Sequence, residues 1–368
     1  MNLMHINSDY GNTIYKSLSM HLQKLGINQK VFKFIRPKMY KNDIYDDFVD
    51  LRINYNNIDR YFFHIKHKKA LNDFLNLYKN EKIDLIHAHT LFSNGYIAYK
   101  VFKKKSIPYV VTVRGTDITV FMKYMKHLKK IGLRIILNAK QIIFVSHAHK
   151  NLVLKKYIPK KYMDIIKSKI VVLPNGIDDF YLENQYSPKK LNSANELNII
   201  TVGWINKNKN QISVCKAIRI LNNKGYKINY RVIGGMENKD KYGDLINELK
   251  DFDFIELVPR KNKYDLLNEY RDADITAMVS FNETFGLTYI ESLTQSTPII
   301  YSENRGIDGY FPDGEVGFKA SPTSIEDIAE KIEMTINNYN FLSNNSTKKV
   351  NEFSWEKISI QLKDIYEA

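Results

Sequence analysis

The chain has 368 residues, and at roughly 150 residues per domain two domains are expected. Its 44% hydrophobic content supports full-sized cores and excludes wholesale disorder, while Cys215, the only cysteine, excludes an intrachain disulfide and a cysteine-built metal cluster. The net charge of +15, from 55 Lys+Arg against 40 Asp+Glu, points to anionic partners such as nucleotides, nucleic acid or an acidic membrane surface, with a composition rich in Lys, Asn, Ile and Tyr as the plainer source of the excess.

Short apolar runs alternate with longer helix-like segments along the whole chain. The predicted strands of the first half are LMHIN (3–7), KVFKFI (30–35), IDLIHAH (83–89), YVVTVRG (109–115), QIIFVS (141–146) and KIVVLP (169–174). Several are almost wholly apolar, as parallel strands covered on both faces must be. TIYKSLSMHLQKLG (13–26) reads as a helix closed by a glycine. The strip FMKYMKHLKKIGLRI (121–135) sets Lys123, Lys126, Lys130 and Arg134 on one side at helical spacing. It sets Phe121, Tyr124, Leu128, Ile131 and Ile135 on another. Such a basic amphipathic helix is either a solvated helix with a core-facing side or a contact to an anionic membrane. DDFYLENQYSPKKLNSANE (178–196) reads as a linker.

The pattern then restarts. Strands are predicted at LNIITVG (197–203), NYRVIGG (229–235), FIELV (254–258), DITAMVS (274–280) and TPIIYS (297–302). Helices are predicted at 210–224, 241–250, 263–272, 287–295 and 324–338. The expected class is α/β: two Rossmann-like, doubly wound parallel-sheet domains, 1–177 and 197–352, facing a central cleft, with ligands at the carboxyl ends of the strands. No run of about 20 apolar residues occurs. The opening MNLMHINSDYGN lacks the basic region and apolar core of a secretory signal, so a cytoplasmic location is expected, with peripheral attachment to the inner face of the plasma membrane as the further option.

One stretch carries chemistry. FNETFGLTYIESL (281–293) holds Glu283 and Glu291, which on one continuous helix would point about 80° apart. If the helix starts near Gly286, Glu283 lies on the preceding loop and Glu291 more than one turn inside. Between them, the backbone N–H groups near Thr284, Phe285, Gly286 and Leu287 form the positive end of a helix dipole. Gly286 lets the backbone approach a ligand. An anion site flanked by two carboxylate acceptors suits a nucleotide sugar, which offers phosphates and paired hydroxyls. A dipole-stabilising Glu283 and a solvated Glu291 would produce the same spacing.

The E-x7-E spacing with an internal FG, followed by ESL-x4-P-I-I, resembles the retaining GT-B glycosyltransferases of family 4 (glycosyltransferase group 1). GIDGYFPDGEVGFKASP (306–322), LPNGID (173–178) and EYRDADITAMVS (269–280) extend the resemblance. FSWEKISIQLKDIYEA (353–368) is similar to the family's last helix, which packs back on the N-terminal domain. The likeness covers most of 80–368 and is sharper in the C-terminal half. It implies a retaining transferase that moves a sugar from a nucleotide-sugar donor, UDP-linked by preference, to a glycan, lipid-linked or protein acceptor in bacterial surface-glycan or teichoic-acid assembly. The first domain would take the acceptor and the second the donor.

The resemblance assigns Glu283 to the donor sugar and Glu291 to the donor ribose. It assigns Asn282, Thr284, Phe285, Gly286 and Leu287 to the sugar or diphosphate, and Arg260 to the nucleobase. The family's G-R-L-x3-K-G pattern appears here as VGWINKNKNQ (202–211). Lys209 aligns with the Lys, Trp204 stands where the Arg is usual, and Lys207 is the substitute cation. Arg114, in Arg114-Gly115-Thr116-Asp117, occupies the family's His position; it cannot act as a base but can hold a phosphate or sugar oxygen, unless it only pairs with Asp117. Gly11 and Asn12 match the first glycine-rich loop, near the diphosphate or acceptor. No cofactor or metal is expected: Asp272 and Asp274 flank the start of a buried strand, and His87 and His89, on one strand face, show no third ligand. Rival readings are a non-catalytic GT-B-like partner subunit, a sugar epimerase, a phosphorylase, and a nucleic-acid binder. The last has no zinc module, RNA-binding signature or interleaved stacking aromatics to support it.

Overall fold

The computed structural model describes residues 1–40, 45–191, 196–236 and 239–368, with the backbone alone for 239–241. The chain forms two compact units. One comprises Met1–Val145, His149–Gly176 and Trp355–Ala368, the other Ser146–Ala148 and Ile177–Ser354.

The first unit is a seven-stranded, all-parallel sheet. Its strands are β1 (Asn2–Ile6), β2 (Asn28–Ile35), β3 (Val49–Ile53), β4 (Leu85–Ala88), β5 (Tyr109–Val113), β6 (Gln141–Phe144) and β7 (Ile170–Val172), in the order β3-β2-β1-β4-β5-β6-β7. β4 and β5 are buried along their whole length, which is why they read as continuous apolar runs. β3 was not among the expected strands. Its sequence VDLRI alternates charge with aliphatic residues, as a half-exposed edge strand can.

The helix Thr13–Lys24 is capped by Asn12, whose side chain accepts from the Ile14 amide at 3.2 Å, and it turns Leu18 and Leu22 inward. The helix Trp355–Glu367 covers the same sheet face. Trp355, Ile358, Leu362 and Tyr366 pack with Leu3, Leu85, Val110 and Ile143. Gly176 is required beneath it, because any side chain there would collide with the Trp355 indole.

The strip 121–135 is not one helix. It runs through a π-helical turn (Asp117–Met122), a 3-10 turn (Lys126–Leu128) and the helix Lys129–Asn138, with Met125 outside helical angles between the turns. Phe121 stacks on Phe92 with ring centroids 4.9 Å apart, while Leu128 and Ile135 enter the core. Seven residues apart, the three would share one face of a continuous helix, and they do reach the same core, but the chain departs from helical angles at Met125. Lys123, Lys126, Lys130 and Arg134 are exposed, and so is Tyr124, contrary to its place on the apolar side of the expected helix.

The second unit is a six-stranded parallel sheet. Its strands are β8 (Glu196–Val202), β9 (Lys227–Ile233), β10 (Ile255–Val258), β11 (Ile275–Met278), β12 (Ile299–Ser302) and β13 (Gly317–Ala320), in the order β10-β9-β8-β11-β12-β13. In both units the chain order reverses once: between β1 and β4, and between β8 and β11. Loops leaving such a pair part to opposite faces and open a crevice at their carboxyl ends.

The stretch read as a linker is packed rather than loose. Asp178 caps the helix Asp179–Glu183, the Tyr186 amide donates to the Thr294 carbonyl at 2.9 Å, and Ser296 donates to the Tyr186 carbonyl at 2.7 Å. Lys189 donates to the Tyr270, Arg271 and Ala273 carbonyls and to Thr297. These bonds cap the carboxyl end of the helix Lys263–Asp272, and burial lowers the Lys189 ammonium to about 8. Residues 192–195 of that stretch lie outside the described residues.

Candidate active site

β8 and β11 are the adjacent strands at the reversal point of the second unit, and the loops that leave their carboxyl ends meet. After β8, the Asn206 side chain accepts from the Lys209 amide at 3.0 Å. Asn210, left-handed at φ +59°, donates to the carbonyls of Val279 and Pro322 at 3.0 and 2.9 Å. Lys209 is thereby held between two anchored residues, with its stem passing Gly203. Its Nζ donates to Glu283 Oε2 at 2.8 Å; both side chains are less than one-fifth exposed. Two opposite charges this shielded interact more strongly than an exposed pair.

Glu283 is fixed from three further sides. Its Oε1 accepts from the Thr284 amide at 3.0 Å, its carbonyl accepts from the Gly306 amide at 3.1 Å, and Gly306 packs against it. A Cβ on Gly306 would lie 2.9 Å from Glu283 Cγ, and φ is +52°. Gly286, left-handed at φ +85°, opens the helix Leu287–Thr294. The first amides of that helix have no intrahelical acceptor and face the end where Glu283 sits. Phe285 contributes backbone only: its ring is buried against Tyr310 and Phe353.

Glu291 lies on that helix and accepts from the Tyr270 hydroxyl at 2.9 Å. Burial pushes its carboxyl up to about 7, the tyrosine hydrogen bond pulls against the rise, and the nearby Asp178 carboxylate adds to it. Asp178 is itself paired with Lys263 at 3.1 Å. The two glutamates thus occupy different chemical settings: Glu283 is ion-paired, and Glu291 is poised to gain or lose a proton near neutrality.

Asn282 is exposed and exchanges hydrogen bonds with Asn208, tying the two loops together. Leu287 and Thr284 are half-buried. Trp204 is 47% exposed and its ring lies over Gly235. Lys207 and Arg260 are exposed, Arg260 following β10; neither is brought to Glu283 by a described contact. Asp274 Oδ2 accepts from the Asn198 amide at 2.8 Å, at the amino-terminal edge of β11, the opposite end from Glu283.

In the first unit, Arg114 follows β5 and donates to Asn175 Oδ1 at 2.5 Å, with its guanidinium 5.5 Å from the Tyr15 ring. It does not form a surface pair with Asp117. That carboxylate is fully buried and accepts from the amides of Leu91, Phe92 and Arg114 at 2.9, 3.0 and 2.8 Å, joining the turns after β4 and β5. Gly11 is left-handed at φ +113° beside Lys33 Nζ and Tyr45, while Asn12 is occupied as a helix cap.

His87 and His89 do have a third histidine beside them. His5, opposite His87 in the β1–β4 register, brings the three imidazoles' nitrogens within 4.8 Å of one another. His5 Nδ1 meets His89 Nε2 at 2.9 Å, and His87 is bonded through one nitrogen to Thr112 at 2.8 Å and through the other to Tyr366 at 2.7 Å. With both its nitrogens engaged, His87 acts as a buried tether for the C-terminal helix.

Residues 12–179 match the model described as Glycosyltransferase Family 4, and residues 183–352 match Glycosyl transferases group 1. The chain belongs to the group 1 glycosyltransferases. An uncharacterised glycosyltransferase of Methanocaldococcus jannaschii is 26% identical over 317 residues, 83% of each chain. The alpha-monoglucosyldiacylglycerol synthase of Acholeplasma laidlawii is 27% identical over 64% of this chain and 63% of its own length. Among solved structures, sucrose-phosphate synthase from Thermosynechococcus elongatus superposes with a TM-score of 0.78 at 18% identity, covering 100% of this chain and 98% of the other, which shows the GT-B fold.

For this glycosyltransferase the sequence pointed to Glu283, Lys209 and Glu291 but not to their supports. Gly306, Tyr270 and Asp178 lie in the stretches that carry the resemblance, but their roles as supports depend on contacts between separate elements that only the fold brings together. The one available signal for Gly306 was the glycine of GIDG directly after β12 and its turn.

Proposed function

We propose that this glycosyltransferase moves a hexosyl group from a UDP-linked sugar to a glycan or lipid-linked acceptor with retention at the anomeric carbon, without a metal ion. The observation that carries the reading is the shielded Lys209–Glu283 pair beside the glycine-opened start of the helix Leu287–Thr294. The retaining course is the one the family resemblance implies.

Departure of the nucleoside diphosphate builds negative charge on its terminal phosphate. Lys209 and the first amides of the helix are preorganised donors for that charge, and they are the part of the site able to favour the transition state over the ground state. Glu283 orients Lys209 and accepts from a sugar hydroxyl. Glu291 accepts from the ribose diol. The acceptor hydroxyl attacks the anomeric carbon on the face the diphosphate leaves, and its proton passes to the departing phosphate oxygen.

A non-catalytic partner subunit is the second reading, favoured by the exposed Trp204 at the position where the resemblance expects an arginine. The test is transfer from UDP-hexoses in EDTA, with the product anomer read by proton NMR. Retained configuration is expected, with kcat lowered about 10²–10³-fold in Lys209→Ala. An inverted product, dependence on an added divalent cation, or a Lys209→Ala enzyme as fast as the parent would overturn the mechanism.

A further inference from the structure

The excess of positive charge is confined to one unit. The first unit holds 34 of the 55 Lys+Arg and 14 of the 40 Asp+Glu, a net +20; the second holds 21 against 26, a net −5. A composition bias would raise both units, so composition alone does not explain the division. Within the first unit the asymmetry is sharper still. Between Asp84 and Asp164 there are sixteen Lys or Arg and one acidic residue, Asp117, which is buried.

Exposed apolar side chains concentrate on the same unit. After β3, the 3-10 turn Asp59–Tyr61 and the start of the helix Phe63–Leu77 present Ile58, Tyr61, Phe62 and Ile65, which are 71%, 73%, 53% and 48% exposed. An amphipathic helix ordinarily turns such residues inward. Here the inward face is filled by Phe63, His67, Ala70, Leu71 and Phe74, so the four outer residues have no place in the core. Phe63 meets Phe121 with ring centroids 6.1 Å apart, which brings the turn carrying the exposed Val120 alongside. The surroundings are cationic: Arg60 lies over the Tyr61 ring, Lys68 is exposed on the helix, and Lys123 and Lys126 are exposed beyond Phe121. The one acid in that stretch, Asp59, is buried and paired with Lys69 at 2.6 Å.

We propose that Ile58, Tyr61, Phe62 and Ile65, bordered by Val120, form the surface by which the first unit seats on an anionic lipid bilayer. Aliphatic and aromatic side chains enter the headgroup–acyl boundary while the surrounding cations meet acidic headgroups. The position suits a lipid-linked acceptor. The patch follows β3 and borders the turn after β5, the same carboxyl edge of the sheet that carries the Gly11 loop and Arg114. This surface replaces the helix expected at 121–135, whose cations here form the border of the patch. The seating rests on the first unit's surface alone; only the lipid-linked acceptor depends on the function proposed above.

The test is co-sedimentation of the full chain with phosphatidylcholine vesicles and with vesicles containing 30% phosphatidylglycerol, for the parent, Phe62→Ser/Ile65→Ser and the second-unit control Phe341→Ser. Binding is expected to the anionic vesicles only, with a partition coefficient at least tenfold lower in the double variant and unchanged in the control. Calorimetric binding of a uridine nucleotide by the same samples reports folding and the donor site independently of lipid. Equal sedimentation of parent and double variant would leave only general charge attraction and overturn the proposal. A dimer in gel filtration that the double variant abolishes would also overturn it, by assigning the patch to a second copy of the chain.

Discussion

Glu291 sits beneath the Tyr270 hydroxyl with its carboxyl raised from 4.5 to about 7, close to physiological pH. A ribose diol donates two hydrogen bonds, which the carboxylate accepts and the protonated acid accepts less well. Proton uptake occurs as pH falls through about 7, so the KM for the donor is expected to rise below that value, approaching tenfold per pH unit, with kcat little changed. Tyr270→Phe removes the bond that favours the charged form and should move the midpoint upward. Glu291→Gln should bind weakly and lose the pH dependence. Initial rates between pH 5.5 and 8.5 check all three; a midpoint unmoved by Tyr270→Phe would separate Glu291 from the effect. For folding the sign is opposite to that of a salt-bridged acid. The unfolded carboxyl ionises from about 4.5, so Glu291 withholds stability progressively from there to about 7 and by a constant amount above.

At the scale of elements, the C-terminal helix Trp355–Glu367 is joined to the first sheet by one buried polar contact among many apolar ones, Tyr366 to His87 at 2.7 Å. Tyr366→Phe leaves a buried imidazole nitrogen unpaired and is expected to cost about 1–3 kcal/mol of stability. Faster amide exchange in that helix is expected with it, and unchanged exchange would contradict the tether. The three histidines give the same layer a pH signature. Burial lowers His5 from 6.5 to about 4, and His87 and His89 well below their ordinary value. The unfolded chain takes up these protons near 6.5 and the folded one does not, so stability is full above 6.5 and falls progressively as pH drops toward 4. His5 could not be read as a member of this cluster from sequence, because its partners are more than eighty residues away and join it only through the β1–β4 register. β4, β5 and β11 were legible as buried strands because nearly every residue in them is apolar. β3 and β13 were not, the first for its alternating charges and the second because Gly317 and Lys319 leave only Phe318 and Ala320 as its apolar residues. The helix expected at 121–135 is interrupted although Phe121, Leu128 and Ile135 keep helical spacing and reach one core: the chain leaves helical angles at Met125, between a π-helical and a 3-10 turn, which the apolar spacing does not signal.

At the scale of the molecule, two parallel sheets of matching strand order each place their candidate site loops at the carboxyl ends of the strands. Glu283, Gly286 and Glu291 could be picked out because their whole context is local, one loop and one helix. Lys209 joined them only through a resemblance, and the 2.8 Å pair with Glu283 is a product of the β8–β11 adjacency. The charge division, +20 against −5, could have been counted from the sequence only once the boundary between the units was known. No helix among the described residues is long and apolar enough to cross a membrane.

In the proposed function the second unit binds a nucleotide sugar through Lys209, the helix start at Gly286 and Glu291. Calorimetric titration of the parent and of Glu291→Ala with UDP, GDP, ADP and their common sugars tests it most directly. Saturable binding of one nucleotide, UDP, is expected, weakened at least tenfold by the substitution. Absence of binding to every nucleotide, or binding of equal strength in Glu291→Ala, would contradict it and would turn Trp204 and Arg114 into the marks of a non-catalytic partner.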